Sequence, residues 1–157
     1  MKNYLVLILA GIVAASTYLV RVPVPVSGGY FNFGDIAVVF CGLYLGKTRG
    51  AIAGGVGSAI ADLIGGYFIF IPVTLVAKGL EAFIAGSLAK KNPLFLILGG
   101  LAMMTVYFLA ELFLPGMGLP AALADLNFNV IQAITGAVGG YALFFIMEKA
   151  LPSKEID

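Results

Sequence analysis

The chain contains no histidine, and Cys41 is its only cysteine. Those two absences exclude a disulfide within the chain and any zinc or copper site built from His and Cys ligands. Charge is scarce too. Asp, Glu, Lys and Arg make up 11% of the 157 residues, the formal net charge is +1, and no basic block is present. Nothing in that pattern invites a nucleic acid. Without histidine, and with no serine flanked by a base, no convincing catalytic set can be assembled. The chain is therefore read as a non-enzyme, with no cofactor and no metal site expected. Cys41 sits in the apolar run VVFCGLYLG, where a buried thiol is inert.

Two nucleotide motifs fail on inspection. The stretch CGLYLGKT ends like a phosphate-binding loop, but Cys41 stands where that motif needs its first glycine. GGVGSA lacks the third glycine of the dinucleotide fingerprint.

What the chain has in abundance is apolar residues, at 61%, well above the half or so of soluble domains. Runs of ~20 apolar residues are needed to cross ~30 Å of hydrocarbon. Tyr4–Val20, Phe68–Ala89, Leu94–Leu114 and Leu126–Met147 meet that requirement. Between Gly34 and Gly66 the basic tripeptide Lys47-Thr48-Arg49 divides the sequence into shorter helices over 34–45 and 50–64. The expectation is an all-α membrane protein, one integral domain over residues 1–157 with six spans, the second alternatively a re-entrant piece. With the N-terminus inside, Lys2, Lys47, Arg49, Lys90, Lys91, Lys149 and Lys154 all fall on the cytoplasmic side and only Arg21 outside. This satisfies the positive-inside rule and places both termini in the cytoplasm. The opening MKNYLVLILAGIVAAS resembles a signal peptide, but cleaving it would leave five spans and spoil the charge pattern, so it is expected to be retained as the first span. Tyr4, Tyr18, Tyr30, Tyr44 and Tyr67 fall near span ends, as an aromatic belt requires.

Helices in lipid gain little from hydrophobicity when they meet, so small residues decide how closely they pack. Gly50, Gly54 and Ser58 recur at i, i+4, i+8, with Ala51 and Gly55 beside them, which makes the third span central. Gly136 and Gly140 repeat the spacing in the last span. On the first helix Ala10-x-x-x-Ala14 and Gly11-x-x-x-Ala15 form a smooth stripe, suited either to internal packing or to a partner protein.

Polar residues at bilayer depth cost ~2.5–3.5 kcal/mol each when charged, and they face partners or cavities. Lys78 and Glu81 lie three apart on one helical face and can pair. Asp35 opens the second helix, and Asp62 and Glu111 lie near the outer ends of the third and fifth. Asp125, Asn129 and Gln132 follow i, i+4, i+7 and form one stripe, from which Asn127 points away. Apart from Glu81, near mid-depth, these residues cluster in the outer half. That clustering predicts a polar pocket open to the outside, whose amides suit a heteroaromatic or hydroxylated ligand. A purely structural Lys78–Glu81 ion pair stands as the alternative for those two residues. The loop RVPVPVSGGYFNFGD is expected to be extended at its prolines and hinged at its glycines. Tyr30, Phe31 and Phe33 would then close over a flat ligand while Asn32 provides a polar contact.

The stretch GYFNFGDIAVVFCGLYLGKTRGAIAGGVGSAIADLIGGYFIFIPVTLVAKGLEAFIAG resembles the S component of energy-coupling factor (ECF) vitamin transporters. It is similar to the branch that holds riboflavin, hydroxymethylpyrimidine and pyridoxine-type carriers. The likeness covers residues 28–89, carried by Gly34-Asp35, the small-residue third helix and Lys-Gly-Leu-Glu at 78–81. Elsewhere it rests on helix count and NVIQAITG. The resemblance implies six helices in the plasma membrane, a vitamin pocket near the outer face and a lid from the first loop. It also implies that Ala10 and Ala14 dock on a transmembrane T component, with two ABC ATPases completing an ATP-driven importer. Ligand contacts would come from Tyr30, Asn32, Asp35, Asp62, Lys78, Glu81, Glu111, Asn129 and Gln132, around a pyrimidine- or pyridine-type precursor or riboflavin. The rival reading is an ion-coupled transporter or channel subunit, with Asp62, Lys78, Glu81 and Glu111 as a proton or cation path.

Overall fold

The structure, a computed structural model, describes residues 3–151. Six α-helices form a bundle: α1 (Asn3–Leu19), α2 (Asp35–Leu45), α3 (Lys47–Gly65), α4 (Ile71–Ile84), α5 (Leu96–Phe113) and α6 (Leu119–Ala150). Short tight turns precede α4 (Phe68–Phe70) and α5 (Pro93–Phe95), and a π-helical turn (Ala85–Ala89) extends α4. Phe68–Ala89, Pro93–Phe113 and Leu119–Ala150 are long and apolar enough to cross a membrane, while α1 and α2 are shorter apolar helices. At 32 residues α6 is about 48 Å long, with Pro120 in its first turn, so it begins seven residues before the expected Leu126.

The expectation of a purely helical chain needs one correction. The segment between α1 and α2 is a two-stranded antiparallel hairpin, β1 (Arg21–Val24) and β2 (Gly29–Asn32), with Arg21 opposite Asn32 and Pro23 opposite Tyr30. Alternating Val and Pro favour extended backbone, and an isolated pair of strands has free edges on which a proline's missing N–H costs little. Gly28, at φ +69°, turns the chain and donates its N–H to Val24 O at 3.0 Å. A second correction concerns the turn between α2 and α3. It falls on Gly46 alone, at φ +82°, a conformation glycine adopts without strain. Lys47, Thr48 and Arg49 instead form the first turn of α3.

The least apolar of the six helices, α3, packs against α1, α2 and α4, while α6 covers α2 and α5. Its small residues make this possible. A Cβ at Gly50 would lie 2.5 Å from Gly42 Cα, one at Gly55 2.7 Å from Leu75 O, and one at Gly57 2.5 Å from Ala10 O. On α6, a Cβ at Gly136 would meet Asp35 Cβ at 2.7 Å and one at Gly140 would meet Val39 Cβ at 2.7 Å. Backbones thus approach along several seams, the packing that lipid favours. The buried apolar cluster centres on Leu9, Val13, Val38, Phe40 and Cys41.

This close packing buries one register of the small-residue stripe on α1, the Ala10/Ala14 register expected to meet a partner. Ala10 and Ala14 are 7% and 8% exposed within the chain itself, Ala10 against Gly57 of α3. The small residues left on the outer side of α1 are Gly11 and Ala15, and Gly11 has nothing within 4 Å of where a Cβ would stand.

The antiparallel turns between helices sort the two ends of the bundle. The hairpin and the polar halves of α3 to α6 share one end. Lys47, Arg49, Lys90, Lys91 and Lys149 share the other. Lys2 and Lys154, also counted in the charge asymmetry, lie outside the described residues.

A Gly57→Val substitution is expected to force α1 off α3 at a cost of about 1–3 kcal/mol, seen as a lower melting temperature and reduced folded yield in detergent. Gly11→Val, where no atom stands in the way, should melt within a degree or two of the wild type. Equal melting of the two variants would refute this account of the α1–α3 seam.

Candidate ligand-binding site

At the hairpin end every helix except α2 turns polar side chains towards one cavity of about 30 Å³. Thr17 comes from α1, Tyr30 and Asn32 from β2, and Ser58 and Asp62 from α3. Thr74 and Lys78 come from α4, Tyr107 and Glu111 from α5, and Asp125, Asn129 and Gln132 from α6. Helical spacing explains the grouping: Ser58/Asp62, Thr74/Lys78, Tyr107/Glu111 and Asp125/Asn129 are each four apart and share a face. Phe70, 4% exposed, adds an aromatic wall. The space admits one or two waters and lies far below the ~300–1,000 Å³ of small-molecule pockets. A vitamin-sized ligand therefore requires part of the wall to move.

The hairpin forms one wall of the cavity and is tied to α3 and α6 by side-chain hydrogen bonds. Ser27 Oγ donates to Asp125 Oδ1 at 2.5 Å and itself accepts from Gly29 N at 3.1 Å. Asn32 Nδ2 donates to Gln132 Oε1 at 2.8 Å, while Asn32 Oδ1 accepts from Gly34 N at 2.7 Å. Gln132 Nε2 in turn donates to Asn129 Oδ1 at 3.1 Å. Tyr30 Oη donates to Asp62 Oδ1 at 2.5 Å. Burial, and then the Asp62 carboxylate, hold the Tyr30 hydroxyl well above the ordinary phenol range, so it remains a donor. Outside these bonds, Arg21 lies over the Tyr18 ring at 4.2 Å and near those of Tyr67 and Tyr30 at 5.5 and 5.9 Å. That arrangement gives the hairpin base a cation–π anchor.

Behind the cavity, Lys78 Nζ donates to Asp35 Oδ1 at 2.5 Å, and Glu81 Oε2 lies 3.9 Å from the same nitrogen. All three side chains are nearly fully buried. The expected Lys78–Glu81 pairing is therefore the longer of two, and Asp35 of α2 is the principal partner. Lys78 also lies 5.4 Å from the Tyr107 ring centroid, and Tyr107 Oη donates to Thr74 Oγ1 at 2.9 Å.

Among the residues singled out from sequence, Tyr30, Asn32, Asp62, Lys78, Glu111, Asn129 and Gln132 line the cavity. Asp35 and Glu81 do not; they hold Lys78 from behind. Phe31 and Phe33 do not close over it either. Phe31 packs on Phe33 at 5.0 Å and on Phe128 at 6.2 Å, and Phe33 is exposed. Alternation along a strand explains this: with Tyr30 turned inward to Asp62, Phe31 must face the other way. The structure adds Thr17, Ser27, Ser58, Thr74 and Tyr107. Asp125 was legible as part of a stripe but not as the anchor of the hairpin.

Several buried polar atoms here have no hydrogen-bond partner. Thr17 Oγ1, Ser58 Oγ, Asp62 Oδ2 and both Glu111 carboxyl oxygens lie on the cavity, with Thr74 beside Asp62 and Asp125 beside Glu111 near enough to interact but outside good hydrogen-bond geometry, and Asp35 Oδ2 and Glu81 Oε2 lie behind it. Each such atom costs roughly 1–3 kcal/mol, more when charged.

The fold is an apolar helical bundle, three of whose helices are long enough to cross a membrane, with a buried polar cavity beneath a hairpin. The sequence matches the family described as ECF-type riboflavin transporter, S component, over residues 2–149; the chain belongs to this family of transporter substrate-binding components. A relative from Pyrococcus woesei, described as an uncharacterized protein in gap 3'region, is 39% identical over 145 residues, covering 88% of this chain and 96% of the relative. The thiamine precursor transporter HmpT of Lactococcus lactis subsp. cremoris (strain MG1363) is 29% identical over 153 residues, covering 94% and 90%.

Replacing Lys78 alone by Met should strand Asp35 in an apolar setting and destabilise the protein by ~3–5 kcal/mol. The double variant Asp35→Leu/Lys78→Met should recover most of that loss. Melting temperatures of the two singles and the double check this, and a double no more stable than Lys78→Met would refute the pairing.

Proposed function

We propose that the chain captures a water-soluble vitamin or vitamin precursor at the outer membrane face and delivers it to partner subunits for ATP-driven uptake. The observation that carries this reading is the gathering of buried polar side chains from five helices and the hairpin on one cavity, with Thr17 Oγ1 and Ser58 Oγ left without a partner. Family membership supplies the class of protein, and a relative named as a thiamine precursor transporter supports a vitamin-type cargo. In this reading all six helices cross the plasma membrane as one domain. The basic end, with both chain termini, faces the cytoplasm and the hairpin end faces out. The hairpin is the lid. Its outward swing frees Asp125, Gln132 and Asp62 together, so opening enlarges the cavity and exposes the groups that would hold a ligand.

The chain has no nucleotide-binding motif, so the energy is assigned to two ABC ATPases acting through a T component. Gly11 and Ala15, exposed on α1, are the surface there that admits a partner helix closely. Ala10 and Ala14 support that face from within.

Two measurements test this reading. Mass spectrometry of the purified chain should reveal a co-purifying vitamin, and proteoliposomes should accumulate it only when T component and ATPases are present with ATP. Concentrative uptake by the chain alone, driven by an ion gradient, would overturn the proposal in favour of an ion-coupled transporter. For the docking face, Ala15→Leu should reduce recovery of the T component at least tenfold while ligand affinity and melting temperature hold. An unchanged recovery would remove α1 from the interface.

A further inference from the structure

Away from the polar cavity, two adjoining apolar hollows of about 470 and 440 Å³ lie between α5 and α6 on their outer side. They share Leu96, Ile97, Ala137 and Val138, and so form one groove. Its floor is made of small residues. Gly100 and Ala133 bring the two helices together, a Cβ at Gly100 lying 2.7 Å from Ala133 Cβ, and Ala137 continues the line. Its banks are large and exposed, Ile97 and Leu101 on α5 and Ile134 and Val138 on α6. The groove runs from Pro93 to Met104 along α5 and from Ala142 back to Val130 along α6, which is about 18 Å on either helix. One leaflet of a ~30 Å hydrocarbon core has a similar depth, about 15 Å. The groove opens at the basic end of the bundle. Lys90 and Lys91, both exposed, stand just before Pro93, and neither forms an ion pair among the described residues. Lys149 follows Val138 by eleven residues, three helical turns, and shares its face of α6. Tyr141, half-buried, lines the same end of the groove.

We infer that this groove holds one acyl chain of an anionic phospholipid whose phosphate sits at Lys90 and Lys91. The inference rests on the membrane reading above, in which the basic end faces the cytoplasm, the side on which anionic lipids give a negative surface potential. Basic residues at the mouth of an interhelical groove on that side match such head groups. The chain itself, a thin flexible run of methylenes, contacts apolar atoms on the floor and on both banks. Other occupants fit less well. A second copy seated on this face about a two-fold axis along the membrane normal would turn Lys90 and Lys91 towards the same pair in its partner, like charge towards like. A partner helix, ~10 Å across, needs small residues where it touches, and here the small residues lie at the bottom between the four large ones. The face assigned above to the T component is on α1, which packs on α3 and α2, whereas α5 packs on α4 and α6.

The test uses the full chain, purified in detergent and depleted of lipid, with bound lipid measured by native mass spectrometry. The probes are phosphatidylglycerol and phosphatidylcholine with the same acyl chains, and inorganic phosphate at matched ionic strength. Phosphatidylglycerol should bind at least about tenfold more tightly than phosphatidylcholine. The double variant Lys90→Ala/Lys91→Ala should lose that preference while its melting temperature and its binding of phosphatidylcholine hold. Ala142→Phe, at an exposed position on the groove, should weaken both lipids at least about fivefold by filling the space the chain occupies. Inorganic phosphate should displace neither. Equal binding of the two lipids, or an undiminished preference in the double lysine variant, would overturn the inference. Displacement by inorganic phosphate would overturn it by making the lysines a site for a free anion. A dimer of the wild-type chain that Ala142→Phe dissociates would give the groove to a second copy, and loss of the T component from Ala142→Phe would give it to a partner helix; either result overturns the lipid assignment. None of these outcomes alters whether a vitamin co-purifies, so the transport reading stands or falls on its own measurement.

Discussion

Everything in this molecule follows from the need to enclose polar groups at a depth where water cannot reach them. Lys78 and its two carboxylates are the sharpest case. An ammonium group near the middle of a bilayer is tolerated only beside a counter-charge, so α2 and α4 must stand close enough for Asp35 to reach it at 2.5 Å. That closeness is bought with glycine. A Cβ at Gly42 would meet Ala82 O at 2.3 Å, one at Gly136 would meet Asp35 Cβ at 2.7 Å, and one at Gly99 would meet Glu81 O at 3.2 Å. Glycines on α2, α5 and α6 thus crowd around a single buried charge cluster. The small residues and the charges are two halves of one design.

The same constraint divides the molecule into a tight half and a loose half. Towards the basic end, helices touch through glycine and alanine and the interior is apolar. Towards the hairpin, larger polar side chains hold the helices apart and leave a cavity. The hairpin closes that cavity with hydrogen bonds to α3 and α6. Such bonds exchange readily for bonds to water or to a ligand, which suits a lid better than interlocked apolar packing does.

Much of this was legible in the sequence. Helical spacing gave the polar faces of α4 and α6, because side chains three and four apart must share a side, and seven of the nine expected contact residues do line the cavity. The small-residue helix was correctly central. Other features were not legible, for physical reasons. Lys78 has Glu81 on its own helix, but its shorter contact is with Asp35, 43 residues away, and no local pattern announces a partner across helices. The stripe on α1 offered two registers, Ala10/Ala14 and Gly11/Ala15. Which one faces inward depends on where Gly57 of α3 lies. Thr17 and Ser58 are small and common in spanning helices, so nothing marked them as cavity atoms. The hairpin was read as extended chain, which is correct for each residue, but pairing is a property of two segments and of the turn at Gly28.

The anchoring of the hairpin also has a kinetic consequence. Its ties to α3 and α6 run through Tyr30, Ser27 and Asn32, and a ligand beneath it would be shut in by all of them at once. If the hairpin is the lid proposed above, association would proceed no faster than it opens, below the rate set by diffusional encounter. Dissociation would be slowed by the same barrier. Residence time would then be governed by loop motion as well as by contact energy, through three polar side chains of a hairpin twelve residues long.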